Sequence, residues 1–461
     1  MNNRYYNTSK IYCARITQTY YNYRRVTTFS GHFLMHQSMN RNRLTDHILP
    51  TVLFVDMNSF FASCEQQVNF WLRGRPVGVC VCVYTGRHGC IIAPSVEARL
   101  QGVKTGMRLD EAIVLCPDLI PIETHPSRYR EYHVKIVDVL RRFSDDVVPK
   151  SIDEAVVDLT NYQLVYKDVR NVANDIKRAI RQDVGDYLRC SIGIAPNVFL
   201  AKLASNVQKP DGLTVITPDT IDDVLRSLRL TDLPGIGSGM AARLQAGGIY
   251  TPLALRYASS EHLRTTCKSI AGWHWHLRLN FGGEVDMDTN SEYKSMSAMR
   301  TISTEQRSTP ERLDELLLSL CLTLERRMVR QRVFCQEMSF SCRYHNGRTY
   351  NYEVRFPEPK QDGPELYHII GQRLLSFQEA HRCEPVLNEH LRSMCVAVFR
   401  FIPAHSVPLN LFEDNTRKDK LRQTLYDMKT KFGSDKLLRA TELRDNPAYR
   451  DVIGFGNIKD L

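Results

Sequence analysis

A chain of 461 residues exceeds one ordinary hydrophobic core, so two to four domains are expected, and a hydrophobic fraction of 43% can supply their cores. Lys and Arg outnumber Asp and Glu by 61 to 51, a formal charge of +10, which suits a protein that grips a polyanion and equally suits a basic enzyme with no such partner. No apolar stretch approaches the roughly 18 residues needed to cross a bilayer, and the N-terminus lacks a signal-peptide core, which excludes a membrane partner and leads us to expect a soluble, cytoplasmic chain.

The first 49 residues, rich in Tyr, Arg, Asn and Thr, carry neither helical nor strand periodicity. They read as a disordered leader or an over-extended start, with Met35 and Met39 as alternative beginnings. From Thr51 the pattern changes. TVLFVDM is a buried strand, the stretch from Ser59 to Trp71 has helical spacing of Phe60, Phe61, Cys64 and Val68, and VGVCVCV and GCIIAP are further strands. SVEARLQG and LDEAIVLC are short helices joined by turns at Gly102 and Gly106. A helix from about Arg128 to Phe143, the strand SIDEAVVDLT, a helix from about Val165 to Val184, the strand RCSIGIA and the helix NVFLAKLASN follow. This is a βαββαβ-like alternation with an inserted lobe, hence an α+β sheet of the palm type. LTDLPGIGSGMAARLQAGGIYTPLAL marks a helical module with Gly235 and Gly237 in a hairpin between two helices. From about Tyr293 to Ala404 strands such as EMSFSCRYHN and SMCVAVFRF alternate with amphipathic helices in a separate α/β module. Beyond Pro403 the chain reads as a charged tail with one apolar cluster, PLNLF.

Two acidic clusters about a hundred residues apart carry the chemistry. Asp56 ends one apolar run, and Asp153 and Glu154 lie in another. Neighbours on a straight strand point to opposite faces, so the latter pair can share a site only at a turn or bulge, and Pro149 and Lys150 just upstream supply a bend. Three carboxylates gathered together repel one another unless a cation is present. Hard oxygens without nearby Cys or His favour Mg²⁺ over zinc, in a two-metal phosphoryl-transfer arrangement; the alternative is an ordinary acidic turn. The 13 cysteines sit mostly inside apolar runs, as at Cys80, Cys82, Cys190 and Cys395, and suggest reduced thiols rather than a disulfide framework. Cys335, Cys342 and His345 have irregular spacing and lack a fourth partner, so they make a poor zinc set. Trp273, His274, Trp275 and His276 read as packing.

VDMNSFFASCE and SIDEAVVDLT, in this order and at this separation, resemble the two metal motifs of the Y-family, or lesion-bypass, DNA polymerases. EARLQGVKTGM resembles that family's fingers segment, NVFLAKLASNVQKPDGL its triphosphate-contacting palm segment, and LPGIGSGMAARL its thumb hairpin. The resemblance runs from about 50 to 410 and shares features with the bacterial polymerase IV and polymerase V catalytic-subunit types. It implies a palm over 50–66 and 120–228, fingers over 67–119, a helix-hairpin-helix thumb over 229–290, a little-finger DNA-binding domain over 291–405, and a tail over 406–461.

Carried over to this sequence, the resemblance makes Asp56, Asp153 and Glu154 the carboxylates for two Mg²⁺ ions, with the Met57 carbonyl completing the coordination. Phe61 falls at the steric-gate position, where a flat ring against C2′ leaves no room for a ribose hydroxyl; core packing is the alternative, and by register Phe60 is the core member of the pair. Arg99 and Lys202 match basic contacts to the triphosphate, or else are solvated surface. Val96 stands where polymerase IV relatives carry tyrosine, so that phosphate hydrogen bond is absent or supplied elsewhere, as by Ser95. Gly235 and Gly237 would offer backbone amides to a DNA phosphate. Lys294, Arg300, Arg307, Arg343, Arg348 and Arg355 would line a basic surface along the DNA backbone, unless they are scattered solvated charge.

In PLNLF, Leu409, Leu411 and Phe412 resemble the peptide that docks bacterial polymerases on the sliding clamp, with Pro408 in place of the usual glutamine; an anchor on its own domain is the alternative. The implied protein is a monomeric catalytic chain that takes primer–template DNA and deoxynucleoside triphosphates and extends the primer past lesions at low fidelity. Its setting would be DNA repair and the SOS response to DNA damage. The rivals are a catalytically weak relative that recruits other proteins, which the full set of carboxylates disfavours, and a nucleotidyl cyclase, which leaves the helical hairpin unexplained.

Overall fold

The computed structural model describes residues 48–81, 89–282, 294–407, 415–433, 437 and 439. The leader up to residue 47 and the PLNLF peptide with Leu409, Leu411 and Phe412 lie outside the described residues. The chain divides into two units, one built from 216–283 with 195–197 and one holding most of the remainder.

In the larger unit, β1 (Val52–Met57) is buried at every position: its apolar run Val52–Val55 suits a strand covered on both faces, and Asp56, also buried, follows that run. A turn through Ser59, in the left-handed conformation with φ 47°, leads into α1 (Phe60–Val68). β2 (Val77–Val81) and β3 (Cys90–Pro94) pair antiparallel. α2 (Val96–Leu100) is capped by the Ser95 hydroxyl, which accepts from the Ala98 amide, and α3 (Leu109–Leu115) follows. β4 (Ile120–Glu123) runs parallel to β2 and completes a three-stranded sheet of order β3-β2-β4. The lobe expected to end at 119 therefore keeps its strand partner to Glu123, with its own small core around Ile91, Leu109 and Cys116.

α4 (Pro126–Leu140), β5 (Val147–Pro149), β6 (Glu154–Asp158), α5 (Val169–Ala179), β7 (Cys190–Ala195), α6 (Val198–Val207) and β8 (Leu213–Val215) complete this part of the chain. The helix expected from Val165 starts later because the Asp168 carboxylate accepts from the Arg170 amide and caps it there. The strands form a five-stranded sheet, β5-β6-β1-β7-β8, with β1 and β6 antiparallel and β7 and β8 parallel. Gly193 on β7 permits a close approach: a Cβ there would sit 2.0 Å from the Ala201 carbonyl oxygen of α6. That contact seats α6, and with it Lys202, on the sheet.

The smaller unit contains α7 (Ile221–Arg226), α8 (Ser238–Ala246), α9 (Pro252–Tyr257), α10 (Ser260–Cys267) and α11 (Ala271–Leu279). LPGIG is preceded by a 3₁₀ turn, Leu230–Asp232, rather than by a full helix. Gly235 takes φ +83°, which glycine adopts without the Cβ clash that disfavours other residues there. Trp275 is buried and the His276 Nδ1 bonds the Ala258 carbonyl, so these two have the expected packing role, whereas Trp273 is exposed.

The C-terminal part returns to a sheet. β9 (Ser295–Thr301), α12 (Pro310–Arg330), β10 (Val333–Tyr344), β11 (Thr349–Lys360), α13 (Gly363–His381) and β12 (Leu391–Pro403) build a four-stranded antiparallel sheet of order β11-β10-β12-β9. Leu313, Leu317, Leu320 and Leu324 of α12 join Phe340 and Val396 of the sheet in one core. Cys335 and Cys342 are buried in that core, and the described cysteines are all free thiols.

The charged tail expected beyond Pro403 is corrected in part: Asn415–Phe432 form α14. Its anchor is ionic, which is why apolar periodicity did not reveal it. Glu325 of α12, fully buried, accepts from Arg439 at 2.8 and 2.6 Å and from the Gly363 amide at 3.2 Å, and pairs with Arg422 of α14 at 3.3 Å. Arg422 also reaches Asp362 at 3.1 Å. Replacing Glu325 with alanine would take from Arg439 and Arg422 the buried carboxylate they share, while Arg422 keeps Asp362 and Asp419, and should cost about 3 kcal/mol. A urea midpoint equal to that of the unaltered protein would show that the cluster does not hold the tail.

Candidate active site

The antiparallel register of β1 and β6 places Asp56 directly across from Glu154. Asp153 sits in the hairpin loop that links β5 to β6, where the Lys150 and Ser151 amides both donate to the Glu154 carbonyl. The Met57 amide donates to the Asp153 carbonyl at 2.9 Å, which ties the two acidic segments together at the backbone. Adjacent acids thus escape the alternation of a straight strand because one lies in the loop and the other at the first strand position. The loop is held by His133, whose Nδ1 lies 2.9 Å from the Ile152 carbonyl, and by the Ser151 hydroxyl, which donates to Asp153 Oδ1 at 2.5 Å.

Two ammonium groups meet these acids. Lys209 Nζ donates to Asp56 Oδ2 at 2.6 Å, and Lys202 Nζ donates to Glu154 Oε2 at 2.9 Å while lying over the Phe54 ring. Burial pushes the Asp56 carboxyl up to about 6, Lys209 opposes that rise, and the charges on Glu154 and Asp153 add to it. Burial likewise raises Asp153 above the ordinary carboxylate range, with Glu154 contributing. Burial first, and the mutual repulsion of the acids after it, thus disfavour their charged forms, a cost that a bound cation would offset. Among the described residues, no group of three or more His, Cys, Asp or Glu side chains is already disposed to hold a metal ion. The three acids are neighbours, with two of them turned onto lysines.

The turn between β1 and α1 is clamped from below. The Asn58 amide donates to the Arg189 carbonyl, its Nδ2 to the Ser191 hydroxyl at 3.0 Å, and its Oδ1 accepts from the Asp211 amide at 2.7 Å. Asp211 itself is held by Lys177 at 2.9 Å, and by Arg181. This network fixes the segment from Lys209 to Gly212 beside Asp56, and so places the Lys209 ammonium. Arg99 donates through Nε to the Ser59 hydroxyl at 3.1 Å; burial lowers its pKa, and the charge of Asp56 works against that shift. Arg99 and Lys202 are thus both brought to the acids. Phe60 and Phe61 are both buried, and the Phe61 ring stacks on Tyr129 with centroids 4.4 Å apart.

Sequence reasoning missed Lys209, although NVFLAKLASNVQKPDGL contains it; a second lysine seven residues beyond Lys202 in one segment was the available signal. It missed Tyr129 too, because a tyrosine on an amphipathic helix carries no mark of what its ring will face. Gly237 caps α8 without a side chain of its own, and Gly235 precedes it in the turn. On the four-stranded sheet, Arg343 and Arg355 are exposed on the face opposite the helices. The irregular zinc set dissolves, since Cys335 and Cys342 are core and His345 bonds Arg307.

The impB/mucB/samB family pattern matches residues 55–206, and the pattern of that family's C-terminal domain matches residues 293–411. DNA polymerase IV of Bacillus velezensis is 33% identical over 352 residues, which span 72% of this chain and 84% of the relative. DNA polymerase IV of Pelotomaculum thermopropionicum is 30% identical over 415 residues, 87% of this chain and 97% of the relative. The chain belongs to the Y family of lesion-bypass DNA polymerases. A solved Y-family DNA polymerase chimera, 24% identical, shares the fold with a TM-score of 0.61 over 76% of this polymerase and 99% of the chimera. The polymerase is accordingly a mixed α+β enzyme that acts on DNA and nucleotides, and the recruitment-module and cyclase readings fall away. Its family uses divalent metal ions, and none of its described helices is long and apolar enough to cross a membrane.

Proposed function

We propose that this polymerase adds deoxynucleotides to a primer 3′ end by phosphoryl transfer at Asp56, Asp153 and Glu154, and that its metal is Mg²⁺, two ions per site. The observation that carries the reading is the cross-strand pairing of Asp56 with Glu154 beside the Asp153 loop. The donor set fits: carboxylate oxygens with the Met57 carbonyl, in a pocket whose Asp56 is raised to about 6 by burial and by its acidic neighbours. When bound, the ions would polarise the primer hydroxyl and offset charge on the departing pyrophosphate.

The chain's own groups do the rest. Lys202 and Arg99 bind the triphosphate, where their charge opposes the negative charge that builds up in the transition state. Lys209 screens Asp56. Phe61 refuses a ribose 2′-hydroxyl by occupying its space. The five-stranded sheet serves as palm, the three-stranded lobe as fingers, the helical unit with Gly235 and Gly237 as thumb, and the C-terminal sheet with Arg343 and Arg355 as a further DNA-binding surface, its binding weakened by salt. So small a fingers lobe closes little surface over the nascent pair, which supports tolerance of damaged templates.

Leu409, Leu411 and Phe412 dock a sliding clamp, and the chain works as a monomer in the cytoplasm. Primer extension with Mg²⁺ on undamaged and abasic templates, with and without the clamp, tests these points together. Extension is expected on both templates, with clamp stimulation abolished by Leu411→Ala with Phe412→Ala. Point substitutions are preferable to truncation at Pro408, which would also remove α14 and the Arg422 anchor. No extension on either template would refute the enzymatic reading, and full stimulation of the double variant would refute the docking role.

A further inference from the structure

Phe61 and Glu65 stand one turn apart on α1, so they share a face of that helix. Tyr129 of α4 touches both. Its ring stacks on Phe61 at 4.4 Å with the planes 18° apart, and its hydroxyl donates to Glu65 Oε1 at 2.8 Å. Glu65 is only 3% exposed and is also engaged by His125 at 3.0 Å and by Arg128. Burial and the Glu65 charge hold the Tyr129 phenol well above the ordinary tyrosine range, so it remains a donor. Two apolar side chains would fill the same volume without burying a carboxylate, which is costly unless it is paired. The paired carboxylate adds orientation: a ring fixed at its face and at its hydroxyl cannot tilt. Phe60, at 5.8 Å and inclined by 48°, offers Phe61 no comparable flat support.

We infer that Tyr129, locked by Glu65, is a positioning residue that holds the Phe61 ring against the sugar of the incoming nucleotide and so sets how strictly ribonucleotides are refused. The inference rests on the proposed gate role of Phe61. With the backing in place, a 2′-hydroxyl meets a ring that cannot yield. Without it, the ring can turn aside at the modest cost of an off-rotamer torsion.

The test compares kcat/KM for a ribonucleotide and its deoxy counterpart in Tyr129→Leu, Tyr129→Phe, Phe61→Ala and the Phe61→Ala, Tyr129→Leu double variant. Tyr129→Leu should lower sugar discrimination about fivefold, through KM for the ribonucleotide more than through kcat, and Tyr129→Phe about twofold. In the Phe61→Ala background, Tyr129→Leu should add nothing further, because it acts through the ring already removed. Unchanged discrimination in Tyr129→Leu, or an equal drop in both backgrounds, overturns the inference while leaving the gate intact. Full discrimination in Phe61→Ala overturns the gate reading and this inference with it. Should Tyr129→Leu yield no folded protein, Tyr129→Phe decides: a drop supports the backing role, and none refutes it.

Discussion

Polymerase carrying alanine at both Asp153 and Glu154 should lose primer extension by at least about 10³-fold while binding primer–template DNA within about twofold of the unaltered protein. The loss is expected to be large because these carboxylates stand beside Asp56, across the sheet and in the adjoining loop, where a phosphoryl-transfer site must concentrate negative charge to attract its cations. Removing two of three such charges leaves Lys202 and Lys209 facing Asp56 alone, so the pocket changes from cation-seeking to cation-repelling. DNA affinity is expected to persist because it comes from basic surface elsewhere, and removing negative charge does not weaken attraction to phosphates. Extension within tenfold of the original rate, measured by single-turnover kinetics on an annealed primer, would refute the assignment. A parallel loss of DNA binding would point instead to disruption of the β5–β6 hairpin.

Phe61→Ala should lower discrimination between deoxy- and ribonucleotides by about a hundredfold, since the wrong sugar is refused by occupied space rather than by a missing hydrogen bond. The side chain is 6% exposed and stacked on Tyr129, so truncation also leaves a cavity that should cost about 3 kcal/mol of stability. The ratio of the two kcat/KM values is the proper readout, because a loss of folded protein cancels from it. Unchanged discrimination would return Phe61 to the core, the alternative that its burial leaves in view.

The order of elements from Thr51 to Val215 was legible because buried strands and amphipathic helices have local signatures: VLFVDM reads as a strand whatever it pairs with. The acids were legible as residues, and the need for a bend at Asp153 followed from strand alternation alone. β9 and β11 escaped notice. β11 was overlooked although TYNYEVRF alternates polar and apolar residues, with Tyr350, Tyr352 and Val354 half-buried and Phe356 buried on one face. α14 was hidden because it is tied down by Arg422 and Arg439 on Glu325, and ion pairs between distant residues leave no period in a sequence.

The sequence by itself determined what kind of polymerase this is, because family membership resides in short runs whose residue types and order survive without any knowledge of their contacts. Only the tertiary structure decided that Glu154 faces Asp56 across a strand pair, that Lys209 turns back onto Asp56, and that Tyr129 lies flat beneath Phe61. Each of these joins residues separated by tens of positions or more. Register, turn geometry and packing set such distances, and all three arise from the whole chain folding at once rather than from any segment alone.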